Sequence, residues 1–404
     1  MAAALRSRRS FLHLLGLNGV IATAAACAPA SAERAGSRLI ARTAAGGMLR
    51  LDSNENSSGP GPRVLAAIED ALGEINRYPF AASRSLAAAI AESAGVQGDQ
   101  VELGCGSSEI LDATVGAFTA ADRALVTAAP TFELCANIAA HMGHPIVEVP
   151  LTATLMLDLA AMASRAAGAG LIYVCNPNNP TATTHGSRAV EQFVEEVLKR
   201  DARTTILIDE AYHDYVDRPD YRTSIPLAVA NPRVIVSRTF SKIYGLAGMR
   251  VGYAVGQRAT LTEVSRCLDA LRISKLSTTA AFTALSDLTR VADQRTANRE
   301  ARAFTAQTFR AAGFQPVDSE ANFLMVDVRR DVRSFQSACR DRGVSVARPF
   351  PPLLTHTRIT IGTMEEMKRA AVVFQEVLAQ PASAARLEPL RRSSWRRDAD
   401  DWAC

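Results

Sequence analysis

Between about Gly98 and Gly256 the chain alternates short β-branched and aliphatic runs with stretches whose apolar positions recur every three to four residues. The runs Val101–Leu103, Ala124–Thr127, Ile146–Val149, Leu171–Cys175, Thr205–Ile208, Val234–Ser237 and Val251–Val255 are predicted strands, and each ends in polar or glycine-rich residues. From Ser187 to Arg200, Val190, Phe193, Val194, Val197 and Leu198 share one helical stripe opposite Glu191, Glu195 and Glu196, the pattern of a crossover helix. Strand and helix alternating at this spacing predict an α/β fold. Its mostly parallel seven-stranded sheet would be covered on both faces and gather ligands at the carboxyl ends of its strands.

After about Arg290 the pattern changes. A long helix, a strand over Asn322–Val328, a helix through Cys339, strands at Val344–Val346 and Arg358–Ile361, and a last helix from Met364 to about Leu378 predict a smaller α+β domain. The expected organisation is a signal over residues 1–32, an N-terminal arm and part of the small domain over 33–70, a large domain over 71–290, the C-terminal small domain over 291–384 and a tail over 385–404. That tail is Arg-rich, holds Trp395 and Trp402, and is expected to be disordered, with a docking peptide as the alternative.

Composition changes this picture in two places. A chain of 404 residues, 48% hydrophobic and 21% charged, can bury one or two sizeable cores, which excludes disordered, collagen-like and mini-protein classes. The formal charge of +4 lies at the ends: residues 1–32 carry Arg6, Arg8 and Arg9 and no acid, and the last nineteen residues carry five Arg against four acids. The body is balanced and offers no basic footprint for nucleic acid. The seven cysteines form no CxxC pair, so neither a disulfide framework nor a cysteine metal site is predicted. His141 and His144, beside Gly143 and Pro145, read as a polar loop, and no metal is expected there.

At the N-terminus, Ser7-Arg8-Arg9-Ser10-Phe11-Leu12 precedes an apolar stretch from Leu14 to Ala26 and the small residues Ala28-Pro29-Ala30 and Ala30-Ser31-Ala32. This layout resembles a twin-arginine export signal. The resemblance implies a periplasmic or exported protein, transient contact with export machinery, and cleavage near Ala30 or Ala32. A lipoprotein attached through Cys27 is the alternative, although Ala24 stands where such sites usually carry Leu. No other run approaches about 20 uncharged apolar residues, so a soluble mature protein is expected.

Four segments fall where strands should end. Gly104-Cys105-Gly106-Ser107-Ser108-Glu109 leads into a helix whose free N–H groups and dipole can hold an anion. Asn176-Pro177-Asn178-Asn179-Pro180-Thr181 is a rigid turn after an apolar strand, and Ile208-Asp209-Glu210-Ala211-Tyr212 puts acids and a phenol at another strand end. An unpaired buried carboxylate is costly, so the acids ask for a cationic partner. Ser237-Arg238-Thr239-Phe240-Ser241-Lys242, followed by Arg250, adds hydroxyls, an amine and a guanidinium. Together these segments ask for an anion and a cationic ring.

With Leu51-Asp52-Ser53-Asn54-Glu55-Asn56, Arg77-Tyr78-Pro79, Pro130-Thr131-Phe132, Gly245-Leu246-Ala247-Gly248-Met249-Arg250, Ala321-Asn322-Phe323 and Arg358-Ile359-Thr360-Ile361-Gly362, they resemble, from about Leu51 to Leu378, the aspartate-aminotransferase superfamily of pyridoxal-phosphate enzymes, in its histidinol-phosphate aminotransferase branch. The resemblance implies a fold-type I transferase using pyridoxal 5'-phosphate, and a homodimer. It implies that Lys242 forms a Schiff base with the cofactor aldehyde and later moves a proton. Asp209 would face the ring nitrogen, Asn179 and Tyr212 would bond the ring's phenolic oxygen, and Phe132 would stack on the ring. Ser107, Ser108, Thr239, Ser241 and Arg250 would hold the phosphate, which Tyr78 would reach from the partner subunit. Arg358 would grip the substrate α-carboxylate with support from Asn322 and Asn54, and Arg348 would read either that group or the side chain.

Several residues depart from the family pattern, and two of them, Ser58 and Phe80, are expected near the substrate mouth. Ala182 replaces the glycine that usually closes the Asn-Pro-Thr turn, Ser58 and Phe80 replace a common Pro and Asp, Ser108 stands for Asp, and Phe132 stands for Tyr. The loop Pro349–Thr357 is proline-rich and apolar. The expected reaction is ping-pong transamination between an amino acid and a 2-oxo acid. Decarboxylase, lyase or oxidase chemistry on the same scaffold is the alternative, and a non-catalytic binding protein is a further one.

Overall fold

In the computed structural model, which describes residues 47–270 and 272–381, the chain opens with β1 (Leu49–Leu51), α1 (Pro62–Ala71) and α2 (Phe80–Ala94). Strands and helices then interleave: β2 (Val101–Cys105), α3 (Gly106–Phe118), β3 (Ala124–Ala129), α4 (Leu134–His141), β4 (Ile146–Pro150), α5 (Leu159–Ser164), β5 (Ala169–Cys175), α6 (Ser187–Arg200), β6 (Thr205–Asp209), α7 (Ile225–Ala230), β7 (Val234–Thr239) and β8 (Val251–Val255). Next come α8 (Arg258–Ser265), α9 (Lys275–Leu285), α10 (Leu288–Ala311), β9 (Phe323–Asp327), α11 (Val332–Arg340), β10 (Val344–Val346), β11 (His356–Thr360) and α12 (Met364–Ala379). The twin-arginine segment, Cys27 and the Arg-rich tail lie outside the described residues.

The seven strands form one sheet in the order β2-β8-β7-β6-β5-β3-β4, parallel except for β8, which runs antiparallel to both neighbours. Every residue of β5, β6 and β8 is buried, as befits strands covered on both faces. The stripe predicted on α6 is the face it buries, through Val190, Phe193, Val194 and Val197. Several strands run further than their apolar patterns, and β6 takes in Asp209 while β7 takes in Thr239. The ladder continues there because buried peptide groups need partners even where side chains turn polar.

A second core forms around α10, α11 and α12, with Phe309, Phe335 and Phe374 at its centre. Its strands sit in two small pairs, β9 antiparallel to β11 and β1 parallel to β10. Leu49 and Leu51 of β1 pack into this core, so the first described strand is tied to residues almost three hundred positions later. A capping box starts α12, with the Thr363 hydroxyl accepting from the Glu366 N–H at 3.2 Å and the Glu366 carboxylate accepting from the Thr363 N–H at 2.8 Å. Among the described residues, no helix is long and apolar enough to cross a membrane.

Candidate active site

The register of the large sheet brings Cys175, Asp209 and Ser237 side by side at the carboxyl ends of β5, β6 and β7. A cavity opens over these ends. Ser107, Ser108, Phe132, Asn179 and Asp209 line it, as do Tyr212, Thr239, Ser241, Lys242 and Arg250.

At one end is a cradle built for an anion. The first turn of α3 offers N–H groups that have no partner within the helix. Gly252 lets this turn approach β8, since a Cβ there would stand 2.2 Å from the Ser107 nitrogen. Gly106, at φ +76, leaves room for Arg250, whose Nη2 lies 2.2 Å from where a Cβ would be. Arg250 itself is left-handed at φ 53, a conformation that costs about 1–2 kcal/mol for an L-residue. Its guanidinium donates to the Ser241 hydroxyl at 3.3 Å, to the Ala247 carbonyl at 3.0 Å and to the Ser108 hydroxyl at 3.4 Å. Thr239 adds another hydroxyl, donating to Ser241 Oγ at 2.9 Å. One guanidinium, four hydroxyl side chains and a helix start thus converge on one spot.

At the floor, the Asp209 carboxylate accepts from the Tyr173 hydroxyl at 2.9 Å, the Ser237 hydroxyl at 3.0 Å and the Ala211 N–H at 3.2 Å. Burial pushes its pKa above the usual carboxylate range, against the pull of those donors and of Lys242. Its neighbour Glu210 points behind the sheet. There burial is outweighed by Arg238, whose Nη2 lies 2.9 Å away, and by His213, Ser224 and Thr223, which hold the Glu210 carboxyl below its ordinary value. Two adjacent acids therefore differ: Glu210 is matched by a cation within the chain, while Asp209 faces the cavity beside the Lys242 amine. Lys242 is 6% exposed, and its Nζ lies 5.6 Å from the centre of the Tyr212 ring.

Behind Tyr212 and Asn179, outside the lining itself, stand segments distant in sequence. Asn54, left-handed at φ 54, donates from Nδ2 to the Tyr212 hydroxyl at 3.1 Å, and its N–H donates to Thr360 Oγ1 at 2.8 Å. Arg358 is buried and donates to Asn179 Oδ1 at 2.6 Å and to the Asp52 carbonyl at 2.5 Å. Asn322 donates to the Asn54 carbonyl at 3.0 Å, and its buried Oδ1 accepts no hydrogen bond among the described residues. Ala182, at φ 64, keeps the conformation that glycine would adopt more readily.

Some expected residues stand apart from the cavity lining. Tyr78 is 76% exposed and pairs with Phe80, ring centres 5.8 Å apart. Arg348 forms an ion pair with Glu133 and contacts the Phe350 ring. Asn54, Asn322 and Arg358 are outside the lining too: Asn54 bonds Tyr212, Arg358 bonds Asn179, and Asn322 bonds Asn54. Sequence reasoning missed Tyr173 and Ser237 as the donors to Asp209, and Cys175 as a wall of the cavity. A lone tyrosine in the aliphatic run Ala169–Cys175 was the available signal for Tyr173.

A basic cradle for a phosphate, a buried acid awaiting a cation and an adjacent amine fit a phosphorylated, nitrogen-protonated aromatic aldehyde. The model of the family described as aminotransferase class I and II matches residues 47–374. The chain is 35% identical over 335 residues to the histidinol-phosphate aminotransferase of Moorella thermoacetica, covering 82% of this chain and 86% of that protein. It is 34% identical over 337 residues to the histidinol-phosphate aminotransferase of Symbiobacterium thermophilum, covering 82% and 91%. Among solved structures, the histidinol-phosphate aminotransferase from Sinorhizobium meliloti in complex with pyridoxal-5'-phosphate superposes with a TM-score of 0.77 at 27% identity, covering 84% of this chain and 94% of that one.

Proposed function

We infer function from one premise: the chain belongs to the aminotransferase class I and II family, and it is a pyridoxal-phosphate-dependent aminotransferase. When bound, the cofactor supplies an electron sink that lets the α-carbon of an amino acid lose a proton. The protein's own residues supply everything else. Ser107, Ser108, Thr239, Ser241 and Arg250 would bind the phosphate, and Asp209 would keep a proton on the ring nitrogen. Tyr212 and Asn179 would hydrogen-bond the ring oxygen, and Phe132 would cover a ring face. Lys242 would be the attachment point and the base for the α-carbon proton. Arg358 binds the α-carboxylate with its planar pair of donors, placed by Asn179, while Asn322 and Asn54 support that side. Arg348, outside the cavity lining, would read either that carboxylate or the side chain. The outcome is ping-pong transfer of an amino group from an amino acid to a 2-oxo acid.

The observation that carries these assignments is that Lys242, Asp209 and the Arg250 cradle line one cavity. The test is borohydride reduction of the reconstituted protein followed by peptide mapping, with amino donor then supplied alone. Label on Lys242 and one equivalent of keto acid per site are expected. Release of carbon dioxide without keto acid, or of peroxide and ammonia with keto acid beyond one equivalent, would redirect the assignment to decarboxylase or oxidase chemistry.

A homodimer completed by Tyr78 and export by the twin-arginine route belong to the same reading. Exposed Tyr78 and Phe80 support the first, and Ser7–Leu12 supports the second. An exported enzyme fits an aromatic, arginine-like or unusual amino acid better than a step of cytosolic biosynthesis. Loss of export when Arg8 and Arg9 both become Lys, and a dimer by light scattering, check the two points.

A further inference from the structure

The family reading leaves Glu133 without a role. It directly follows Phe132 of the cavity wall and precedes α4 of the large sheet, yet its carboxylate pairs with Arg348, which follows β10 of the other core. The pair, 2.5 Å apart, links residues 215 positions apart and is partly exposed, at 29% for Arg348 and 37% for Glu133. Arg348 lies 4.7 Å from the centre of the Phe350 ring, and Arg358 lies 5.0 Å from the same centre. Both guanidiniums stand beside one ring and so lie within about 10 Å of each other. An amino acid whose α-carboxylate rests on Arg358 can therefore place its side chain near Arg348.

We propose that Glu133 is a specificity-determining residue that occupies Arg348 with a carboxylate of the protein's own and so turns the site against amino acids with anionic side chains. The proposal rests on the transaminase reading above and adds the substrate class: donors with neutral, apolar or aromatic side chains. A dicarboxylic amino acid must pull Arg348 from Glu133 and then hold its own carboxylate beside the displaced one. Like charges oppose that arrangement, and such a repulsive element is a common source of selectivity. A neutral side chain leaves the ion pair intact. It meets Phe350 and the apolar residues of the Pro349–Thr357 loop, of which Leu353 packs with Phe350.

The test compares L-aspartate with L-phenylalanine as donors for the holoenzyme and its Glu133→Gln, Arg348→Met and double variants. The wild type should favour L-phenylalanine, and Glu133→Gln should raise the aspartate-to-phenylalanine ratio of kcat/KM about tenfold, mainly through the KM for aspartate. Arg348→Met should lower that ratio, because Glu133 is left without the guanidinium that balances it, and adding Glu133→Gln should recover part of the loss without exceeding the ratio of Glu133→Gln alone. A ratio that moves less than about twofold in Glu133→Gln, or a wild type that prefers aspartate, overturns the proposal. Calorimetric binding of unreactive succinate against 3-phenylpropionate gives the same readout without turnover. Failure of every donor, with succinate still tightening about tenfold in Glu133→Gln, would count against the transaminase reading and not against this one.

Discussion

The anion cradle and the proposed substrate mouth are assembled in opposite ways. The cradle uses strand ends and a helix start of one sheet, and Thr239, Ser241, Lys242 and Arg250 all come from one short stretch. The mouth is held by contacts across most of the chain, as when the Asn54 N–H meets Thr360 Oγ1 at a separation of 306 residues and Asn322 meets the Asn54 carbonyl at 268. Local backbone geometry sets what the cradle can bind. The meeting of two cores sets what the mouth can admit. Substitutions in the two regions should therefore fail differently, one set losing cofactor and the other losing substrate.

The largest effect falls where the regions meet. Lys242→Ala should lower turnover by more than about a thousandfold, because the proposed attachment point and proton carrier both go. Borohydride should then fix no cofactor to the protein. Retained labelling would move the attachment to another lysine, whereas Arg348→Met at the mouth should label as the wild type does.

Asp209→Asn comes next, with a loss of about a hundredfold or more in turnover, measured at saturating cofactor. A pH dependence goes with it. Burial raises the Asp209 pKa in the cofactor-free protein, so the folded form holds this proton more tightly than the unfolded chain. Its contribution to stability is then greatest below the ordinary carboxylate pKa and declines as pH rises from there through the raised value. Thermal melts across that window should show the apoprotein falling with pH relative to Asp209→Asn. A rise would mean that the hydroxyls of Tyr173 and Ser237 outweigh burial.

A paired experiment separates the regions directly. Arg250→Met should weaken cofactor binding about tenfold to a hundredfold, the worth of charge-assisted hydrogen bonds of about 1.5–3 kcal/mol, with little change in the KM for donor. Arg358→Met should raise that KM by a similar factor and leave cofactor affinity nearly constant. Cofactor titration and initial rates check both, and a substitution that moves both quantities equally would erase the distinction between cradle and mouth.

The same contrast explains what was legible in the sequence. The strands, the crossover helix and the cradle follow from local pattern, since Gly106, Ser107 and the Thr239–Lys242 run announce strand ends and an anion site within a few residues. The resemblance supplied Arg358 and Asn322, but not how they are held. That Arg358 rests on Asn179 and the Asp52 carbonyl, or that Glu133 engages Arg348, depends on which strand of one core faces which turn of the other. Tyr173 escaped for a related reason: its hydroxyl serves Asp209 on the neighbouring strand, and only the register of β5 against β6 reveals it.

The smallest effect sits at a point common to both regions. Ala182 closes the turn that carries Asn179, and its carbonyl accepts from the Glu320 N–H at 3.4 Å on the segment leading to Asn322. Its left-handed backbone argues for Ala182→Gly, which relieves about 1–2 kcal/mol of backbone strain. Its side chain argues against, because the methyl is fully buried with Tyr212, Ile243 and Phe323, and removing one such group costs about 0.8 kcal/mol before any cavity penalty. Glycine also adds freedom to the unfolded chain. These opposing contributions leave a net change within about 1 kcal/mol, or a shift of a few degrees at most in Tm. A loss well beyond that would mean that the methyl wedges the turn against the second core, and that the cradle and the mouth are coupled through this residue.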